Sequence, residues 1–233
     1  MGRARLGFRI RASSFFSSTG PISDEVVTVE RPETSKPARD AELYLGATRS
    51  WLERVVIGLN LCPFARSVYV RDQVRLVVSG ATDEVALMVD LEAELTRLRE
   101  TPTEAIDTTV LIHPHVLQSF ENYTAFLVIA DGVLAGMRLR GVIQIASFHP
   151  DYVFDGTDPN DVTNCTNRSP YPTLHLLREK SLDRAIASHP DTARIYEANQ
   201  STMRRLGHEG WDALRKGNSS EFDSSGPSAT GSE

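Results

Sequence analysis

Three short apolar segments, separated by two long amphipathic ones, constrain the fold of this chain more than any other feature. The short segments are VRLVVSG (74–80), DTTVLIHP (107–114) and GVIQIASFHP (141–150). Between them, residues 82–100 and 119–137 repeat apolar side chains at helical spacing. Parallel strands need a long crossover connection, which helices of this length supply. We therefore predict an α/β fold with a small, mainly parallel three-stranded sheet in the order β-α-β-α-β.

Apolar spacing also predicts one helix before this sheet and two helices after it. The first helix runs from about Asp40 to Leu59. The second is expected from about Pro172 to Ser188, because proline is well accepted at the first position of a helix. The third is expected from about Asp191 to Lys216. Residues 40–216 are thus predicted to form a single domain, which is long enough for one core.

The two ends of the chain differ in composition from this domain. Residues 1–20 contain four arginines, several serines and no acidic residue. That composition is typical of an organelle transit peptide, although a basic disordered tail is the alternative. We expect a mitochondrial transit peptide over 1–20, a flexible linker over 21–39 and a disordered tail over 217–233. The expected location is the mitochondrial matrix, with the plastid or the cytoplasm as alternatives.

The charge of the chain argues against a nucleic-acid partner. Its 25 basic and 31 acidic residues give a net charge of −6, and removing the four N-terminal arginines leaves 21 against 31, or −10. A body of that charge repels phosphate backbones. No apolar stretch approaches the roughly 20 residues of a membrane span. Two cysteines, Cys62 and Cys165, make neither a disulfide framework nor a four-cysteine zinc site.

Two histidines stand at equivalent positions, where predicted strands end in His-Pro. These are His113 in LIHPH and His149 in SFHPD. Ligand sites of open α/β sheets gather at the carboxyl ends of parallel strands, so both side chains are candidates for one rim. The alternative is that each imidazole closes its strand by binding a backbone carbonyl. We predict His149 as a catalytic residue, and His113 remains a weaker candidate.

The polar loop over residues 149–170 supplies a candidate anion-binding group in Arg168. A guanidinium offers five donors in a planar fork suited to carboxylate or phosphate. A loop acid such as Asp155 or Asp161 is its alternative partner. Ser169 and His175 are expected to converge with Arg168 on the amino end of the following helix, whose free N–H groups favour anions.

Residues His175, Arg178 and Glu179 are spaced to share one face of that predicted helix. The alternative for Arg178 and Glu179 is a solvated ion pair.

Cys62, in NLCPFA, is a candidate nucleophile if a short turn of helix at Pro63 lowers the pKa of its thiol. The alternative is a buried cysteine that only packs against its neighbours. Cys165 is expected to be incidental. Asn199 lies on an apolar stripe and is predicted to prop the carbonyls around 164–169.

Five phrases of the sequence resemble an uncharacterised family, a domain of unknown function (number fourteen-fifteen). They are WLERVVIGLNLCPFA, DTTVLIHPHVL, GVIQIASFHPDYVFDGT, TNRSPYPTLHLLRE and RRLGHEGW, and the resemblance covers about residues 41–215. The family implies no reaction. It implies that the polar residues of these phrases belong together as functional candidates: Cys62, His149, Asp155, Asn167, Arg168, Ser169, Tyr171, His175 and Glu179.

We expect a soluble mitochondrial enzyme that acts on a small anionic metabolite, with the cofactor left open. Arg168 would bind the anion, His149 or His175 would move a proton, and Cys62 would be a covalent nucleophile. One alternative is a metal-dependent enzyme whose ligands are His149, His175 and an acid such as Asp151, Asp155 or Asp161. The other is a non-catalytic organellar assembly factor. The enzyme hypotheses require Cys62, His149, Arg168 and His175 to line one hollow.

Overall fold

The computed structural model describes residues 36–187 and 192–216. Its helices are α1 (Lys36–Trp51), which continues into a π-helical segment (Leu52–Ile57), α2 (Ala65–Tyr69), α3 (Glu84–Glu100), α4 (Phe120–Gly136), a 3-10 helix (Val162–Asn167), α5 (Glu179–Ala187) and α6 (Thr192–Lys216). Its strands are β1 (Val74–Val78), β2 (Thr108–Ile112), β3 (Ile143–Phe148) and β4 (Thr173–Arg178). The mixed α/β class and the order β1-α3-β2-α4-β3 are therefore as predicted.

The sheet of the described residues has four strands in the order β1-β2-β4-β3, so the prediction of three mainly parallel strands is wrong. β1 and β2 are parallel neighbours, with Val74 opposite Thr108. β4 lies antiparallel between β2 and β3. Its residue His175 stands opposite Val110 on one side and Ala146 on the other, at the centre of the sheet.

The residues that form β4 were predicted to begin a helix, and this prediction is wrong. The segment TLHLLR alternates between the two faces of the sheet, with Leu174 and Leu176 buried. Helix α5 begins only at Glu179, immediately after the strand. The expected helical face of His175, Arg178 and Glu179 therefore does not exist, since neighbouring side chains of a strand point to opposite faces.

Helices α3 and α4 cover one face of the sheet. Asp83 caps α3 by accepting the backbone N–H of Ala86 at 2.8 Å, and Ser119 caps α4. Each helix then buries an apolar stripe against the strands, as its spacing predicts. The members of this core include Leu87, Leu91, Leu95, Leu98, Tyr123, Phe126, Ala130, Leu134, Leu111, Leu174 and Leu176.

The other face of the sheet is covered in part by α1, the π-helical segment and α6. Their buried side chains form a second core that includes Trp51, Leu52, Val55, Val56, Leu61, Cys165, Met203, Leu206 and Trp211. Gly58 closes the π-helical segment because any Cβ at this position would collide with the carbonyl oxygen of Arg54. Gly207 has φ 65° and interrupts α6, a backbone conformation that glycine adopts without strain.

The predicted helices at either side of the sheet are present, with shifted ends. The first begins at Lys36, so residues 36–39 of the expected linker are helical. The third spans Thr192–Lys216, close to its prediction. The expected transit peptide, the rest of the linker and the tail over 217–233 lie outside the described residues. Within those residues, no helix combines the length and the apolar character that crossing a membrane requires.

Candidate functional site

A cavity of about 630 Å³ lies on the face of the sheet opposite α3 and α4. Its floor is made of strand side chains that include Thr108, Val110, Ala146, Phe148, His175 and Leu177. One wall is formed by the end of α1, the π-helical segment and α2, and the other by α5. Ligand cavities commonly have volumes of about 300–1,000 Å³, so this one has the size for a small organic molecule.

His175 is held on the cavity floor by a hydrogen-bond chain that fixes its tautomer. The hydroxyl of Thr108 donates to the carbonyl oxygen of Leu176 at 2.7 Å and lies 2.6 Å from Nε2 of His175. A hydroxyl has one proton, so Nε2 must carry a hydrogen and donate it to Thr108. Nδ1 of His175 is then left with its lone pair as an acceptor.

The free acceptor Nδ1 of His175 is open to the cavity. It has no hydrogen-bond partner among the described residues, and it is not one of the fully buried polar atoms that lack a partner. Burial lowers the pKa of His175 from 6.5 to about 4, so the ring is neutral near pH 7. The floor therefore offers one uncharged acceptor in a largely apolar setting.

Cys62 lines the same cavity from the turn between the π-helical segment and α2. Burial raises the pKa of its thiol, and hydrogen bonds from the backbone N–H groups of Phe64 and Ala65 oppose that effect only in part. The thiolate that the sequence suggested is thus not stabilised at neutral pH. The side chain of Asn199 donates to the carbonyl oxygen of Leu61 at 2.9 Å and holds this turn in place.

One end of the cavity is polar, and it contains residues that the sequence did not single out. Asp107 is only 7% exposed and accepts the hydroxyl hydrogen of Ser181. Arg71 donates from Nε to Gln73 at 2.7 Å, and Arg184 donates from Nη2 to Ser181 at 3.1 Å. Both arginines are exposed. Asp107 precedes β2 directly, and this position at a strand end was the one sequence signal that could have found it.

His149 and His113 lie outside the lining of this cavity, on the side of the sheet that α4 covers. Nε2 of His149 donates to the carbonyl oxygen of Leu117 at 3.2 Å, while Nδ1 accepts the backbone N–H of Asp151. Nδ1 of His113 is 3.2 Å from the carbonyl oxygen of Val116. Burial lowers the pKa of His149 and brings that of His113 to about 4. Both imidazoles thus close their strands through backbone bonds.

Arg168 also lies outside the lining of the cavity. Its Nε donates to the carbonyl oxygen of Tyr152 at 3.2 Å, and its Nη2 donates to that of Pro159 at 2.8 Å. These bonds hold the polar loop together, and the guanidinium of Arg168 does not reach the cavity. The partners are carbonyl groups, where the sequence suggested the carboxylates of Asp155 or Asp161.

The remaining candidates near Arg168 also bind the backbone around them. Asn167 donates from Nδ2 to the carbonyl oxygen of Ser147 at 3.2 Å. Ser169 donates to the carbonyl oxygen of Tyr171 at 2.7 Å, and the Tyr171 ring packs edge-on against Tyr44.

The last candidates do not lie together, and Asn199 binds a different carbonyl group from those predicted. Asp155 is exposed, and Glu179 begins α5. Arg178 donates to the carbonyl oxygens of Leu98, Thr101 and Ile106, which pins the end of α3 in place of the expected ion pair. Asn199 donates a hydrogen bond to a backbone carbonyl oxygen, as predicted, but this carbonyl belongs to Leu61 and not to residues 164–169.

The structure therefore brings two of the four key candidates together. Cys62 and His175 line the cavity, whereas His149 and Arg168 do not. The described residues contain no group of three or more His, Cys, Asp or Glu side chains that could hold a metal ion. The ligand set of His149 and His175 with Asp155 or Asp161 is accordingly not assembled, because the two imidazoles serve different faces of the sheet.

Comparison with known proteins places the chain in a family. A family model described as "Protein of unknown function (DUF1415)" matches residues 44–213. The chain belongs to this family. The match spans every residue that lines the cavity, from Trp51 to Ala185, and confirms the resemblance over about residues 41–215. No curated protein and no solved structure matches the chain.

Proposed function

We propose that this protein binds a small organic molecule in the cavity between the sheet, the π-helical segment and α5. The observation that supports this most directly is Nδ1 of His175, a fixed and neutral acceptor without a protein partner in the described residues. Because this acceptor is open to the cavity and is surrounded mainly by apolar side chains, it is suited to a hydrogen bond from a ligand. Trp51, Phe64 and Phe148 provide the apolar surroundings.

The π-helical segment supports the same proposal. π-Helical turns within helices are rare and occur frequently at functional sites, because they shift the side chains that follow. Here the segment carries Leu52, Val56 and Ile57 into the cavity wall. Tyr69 of α2 donates a hydrogen bond to Glu53 of the segment, which fixes the two parts of the wall to each other.

The experiment that tests this proposal fills the cavity. Ala146 lies on its floor, so Ala146→Phe should occupy the space that a ligand needs. Ala93, which is exposed on α3, gives the matched control Ala93→Phe. With 8-anilinonaphthalene-1-sulfonate as the fluorescent probe, the wild type and the control should bind one equivalent. Ala146→Phe should bind at least about tenfold more weakly, while its circular dichroism stays that of a folded protein.

Two results of this experiment would refute the binding proposal. One is equal affinity of the folded Ala146→Phe protein and the wild type for the probe, since the probe would then lie elsewhere. The other is a wild-type protein that binds neither this probe nor any member of a fragment panel in a thermal-shift screen. A ligand at 100 times its Kd stabilises a protein by about 2.7 kcal/mol, which is readily detected.

Covalent catalysis is the second candidate function, and it is favoured by the presence of Cys62 and His175 in one cavity. Cys62 would attack an acyl carbonyl, the leaving alkoxide would depart, and water would hydrolyse the thioester. The thiol proton would pass to Nδ1 of His175, directly or through water, and from there to the departing alkoxide, which leaves as the alcohol. Because burial raises the thiol pKa and brings that of His175 to about 4, both groups are neutral near pH 7. His175 is then a weak base, and we expect slow turnover.

An ester with a chromogenic leaving group tests this second candidate. With p-nitrophenyl acetate, the wild type should release about one equivalent of p-nitrophenolate in an early phase, and mass spectrometry should find the acetyl group on Cys62. Cys62→Ala should lose both signals. Cys165→Ala is the control, because Cys165 is fully buried in the second core and should not react. A burst that survives Cys62→Ala would exclude this chemistry.

We propose, finally, that the protein acts in the mitochondrial matrix. The composition of residues 1–20, with four arginines, several serines and no acidic residue, supports this. A small organic molecule of the matrix would then be the ligand.

A further inference from the structure

Helix α4 carries few charged side chains for a helix that faces solvent on one side. It has two charged residues in 17, whereas α3, which packs beside it on the same face of the sheet and has the same length, has seven. A surface helix usually places charged and polar residues on the face opposite its core, and a helix that is apolar all round is usually covered on both sides. The outer face of α4 therefore has the composition of a covered surface.

This outer face is formed by six exposed residues, which we call the α4 stripe. Its members are Glu121, Ala125, Val128, Ile129, Gly132 and Gly136. Spacings of three and four residues place them on one side of the helix, opposite the side chains that α4 buries against the sheet. Val128 is 76% exposed and Ile129 is 43% exposed. Covering two branched side chains of this kind removes apolar area from water, which favours association.

The α4 stripe is symmetrical about the midpoint between Val128 and Ile129. Ala125 and Gly132 each lie three residues from this central pair, and the outermost two members each lie seven residues from it. When two copies of such a helix pack antiparallel about a twofold axis at this midpoint, the branched side chains meet at the centre. Ala125 of one copy then lies opposite Gly132 of the other. The stripe is thus self-complementary, as the contact surface of a twofold dimer must be.

Gly132 has no role in the packing of a single copy. Glycine destabilises the interior of a helix relative to alanine. A Cβ at Gly132 would meet no atom of the described residues within 4 Å, so the fold of one copy does not require a glycine here. The distance between two packed helices depends on the side chains at their contact, and a glycine allows the second helix to approach closely.

The charges at the two ends of α4 fit an antiparallel pair. Glu121 lies in the first turn of the helix, and Arg138 follows its C-terminal cap. Both side chains are exposed, and neither has an ion-pair or hydrogen-bond partner in the described part of the chain. In an antiparallel pair, the beginning of one helix lies beside the end of the other, so Glu121 of each copy comes near Arg138 of the second copy. A parallel pair would bring like charges together.

We infer that the α4 stripe is the contact surface of a twofold dimer of this protein, in which two copies of α4 pack antiparallel. The helix is about 25 Å long and covers less area than a standard interface of about 800 Å² per copy. A dissociation constant of about 1–100 µM is therefore expected. Because α4 lies on the face of the sheet opposite the cavity, the dimer leaves both cavities open, and the inference does not depend on the proposed function.

Sedimentation equilibrium of the full chain over a range of concentrations tests this dimer. The mass of the wild type should rise from 25.8 kDa to twice this value as the concentration increases. Val128→Glu should stay monomeric, because it places two carboxylates together at the centre of the contact. Val70, which is 73% exposed and lies outside the stripe, gives the matched control Val70→Glu, which should dimerise like the wild type. Circular dichroism should show that both variants are folded.

An exchange of charges tests the antiparallel arrangement. Glu121→Arg and Arg138→Glu should each weaken dimerisation by about tenfold, since each replaces an attraction by a repulsion at both ends of the contact. The chain that carries both substitutions should recover the dissociation constant of the wild type, because its end charges are again of opposite sign.

Three results would overturn the inference. A wild type that remains monomeric well above the expected dissociation constant would show that no second copy covers the stripe. A dimer that Val128→Glu leaves unchanged would place the contact on another surface. Failure of the double exchange to recover the affinity that the single exchanges lose would exclude the antiparallel pair.

Discussion

The buried imidazole of His113 predicts a loss of stability in mild acid that one substitution should reduce. His113 is 0% exposed, and burial lowers its pKa from 6.5 to about 4. Its Nδ1 donates to Val116, whereas Nε2 has no partner in the described residues. The folded protein therefore keeps this ring neutral at a pH at which an unfolded chain has already taken up a proton.

The size of the effect follows from the linkage between proton binding and unfolding. Well above pH 6.5, neither state binds the proton, and the full stability is present. As the pH falls from 6.5 towards 4, the unfolded state binds it preferentially, so the free energy of unfolding decreases. Between about pH 7.5 and about pH 5, the loss amounts to about 2 kcal/mol from His113 alone. That is a considerable part of the 5–15 kcal/mol typical of a domain.

Urea unfolding followed by circular dichroism at several pH values measures this loss. In His113→Asn, the amide nitrogen can replace Nδ1 as the donor to Val116, but no group titrates. The pH dependence of its unfolding free energy should therefore be about 2 kcal/mol smaller than that of the wild type over this range. His115, which is exposed, gives the control His115→Asn, which should keep the wild-type pH dependence. If His113→Asn keeps it too, the reasoning about burial is wrong.

Three further predictions concern the thiol, the loop and the N-terminus. Since burial raises the pKa of Cys62, iodoacetamide should label it slowly at pH 7 and faster as the pH rises, with mass spectrometry as readout; rapid labelling at pH 7 would contradict this. Arg168→Ala should lower the free energy of unfolding by about 2–3 kcal/mol through the loss of its two carbonyl partners, without weakening probe binding in the cavity. Residues 1–39 fused to a fluorescent protein should direct it to mitochondria, and replacing the four arginines of residues 1–20 by glutamine should abolish this; diffuse fluorescence of the unaltered fusion would refute the location.

The sequence predicted those parts of the fold in which one periodicity dominates. Residues 84–100 carry Leu87, Leu91, Leu95 and Leu98 at helical spacing, and residues 110–112 are a continuous apolar run suited to a strand covered on both faces. The structure of both segments follows from residues that are close together in the sequence. The position of β4 between β2 and β3 is not, because strand order depends on contacts between distant segments that no local pattern encodes.

The segment TLHLLR shows why β4 was not recognised. Pro172 suggested the start of a helix, and the helical residues of α5 follow without a break. Six residues are also too few for a period of 2 to be distinguished from a period of 3.6. In the folded protein, Leu174 and Leu176 are both buried on one face of the sheet, which is the period of 2 that a strand has.

The candidate site was predicted only in part, because the sequence does not show which side chains the fold brings together. Cys62 and His175 were selected for their chemistry, and the fold places both in the cavity. His149 and Arg168 were also selected for their chemistry, but in the folded protein both side chains donate hydrogen bonds to backbone carbonyl oxygens. Asp107 and Arg71 were missed because an acid or an arginine next to a strand is common on any surface. Only the packing of α2 and α5 around them makes a cavity of that surface.

The central position of β4 has a consequence for the synthesis of the chain. Its two neighbours, β2 and β3, end at Ile112 and Phe148, and they must wait for residues 173–178 to leave the ribosome before they can pair with it. Until then, each presents an open row of backbone N–H and C=O groups, the kind of edge on which chains aggregate. A protein truncated shortly before Thr173 would keep both edges permanently, so nonsense variants that end between β3 and β4 should accumulate as insoluble material.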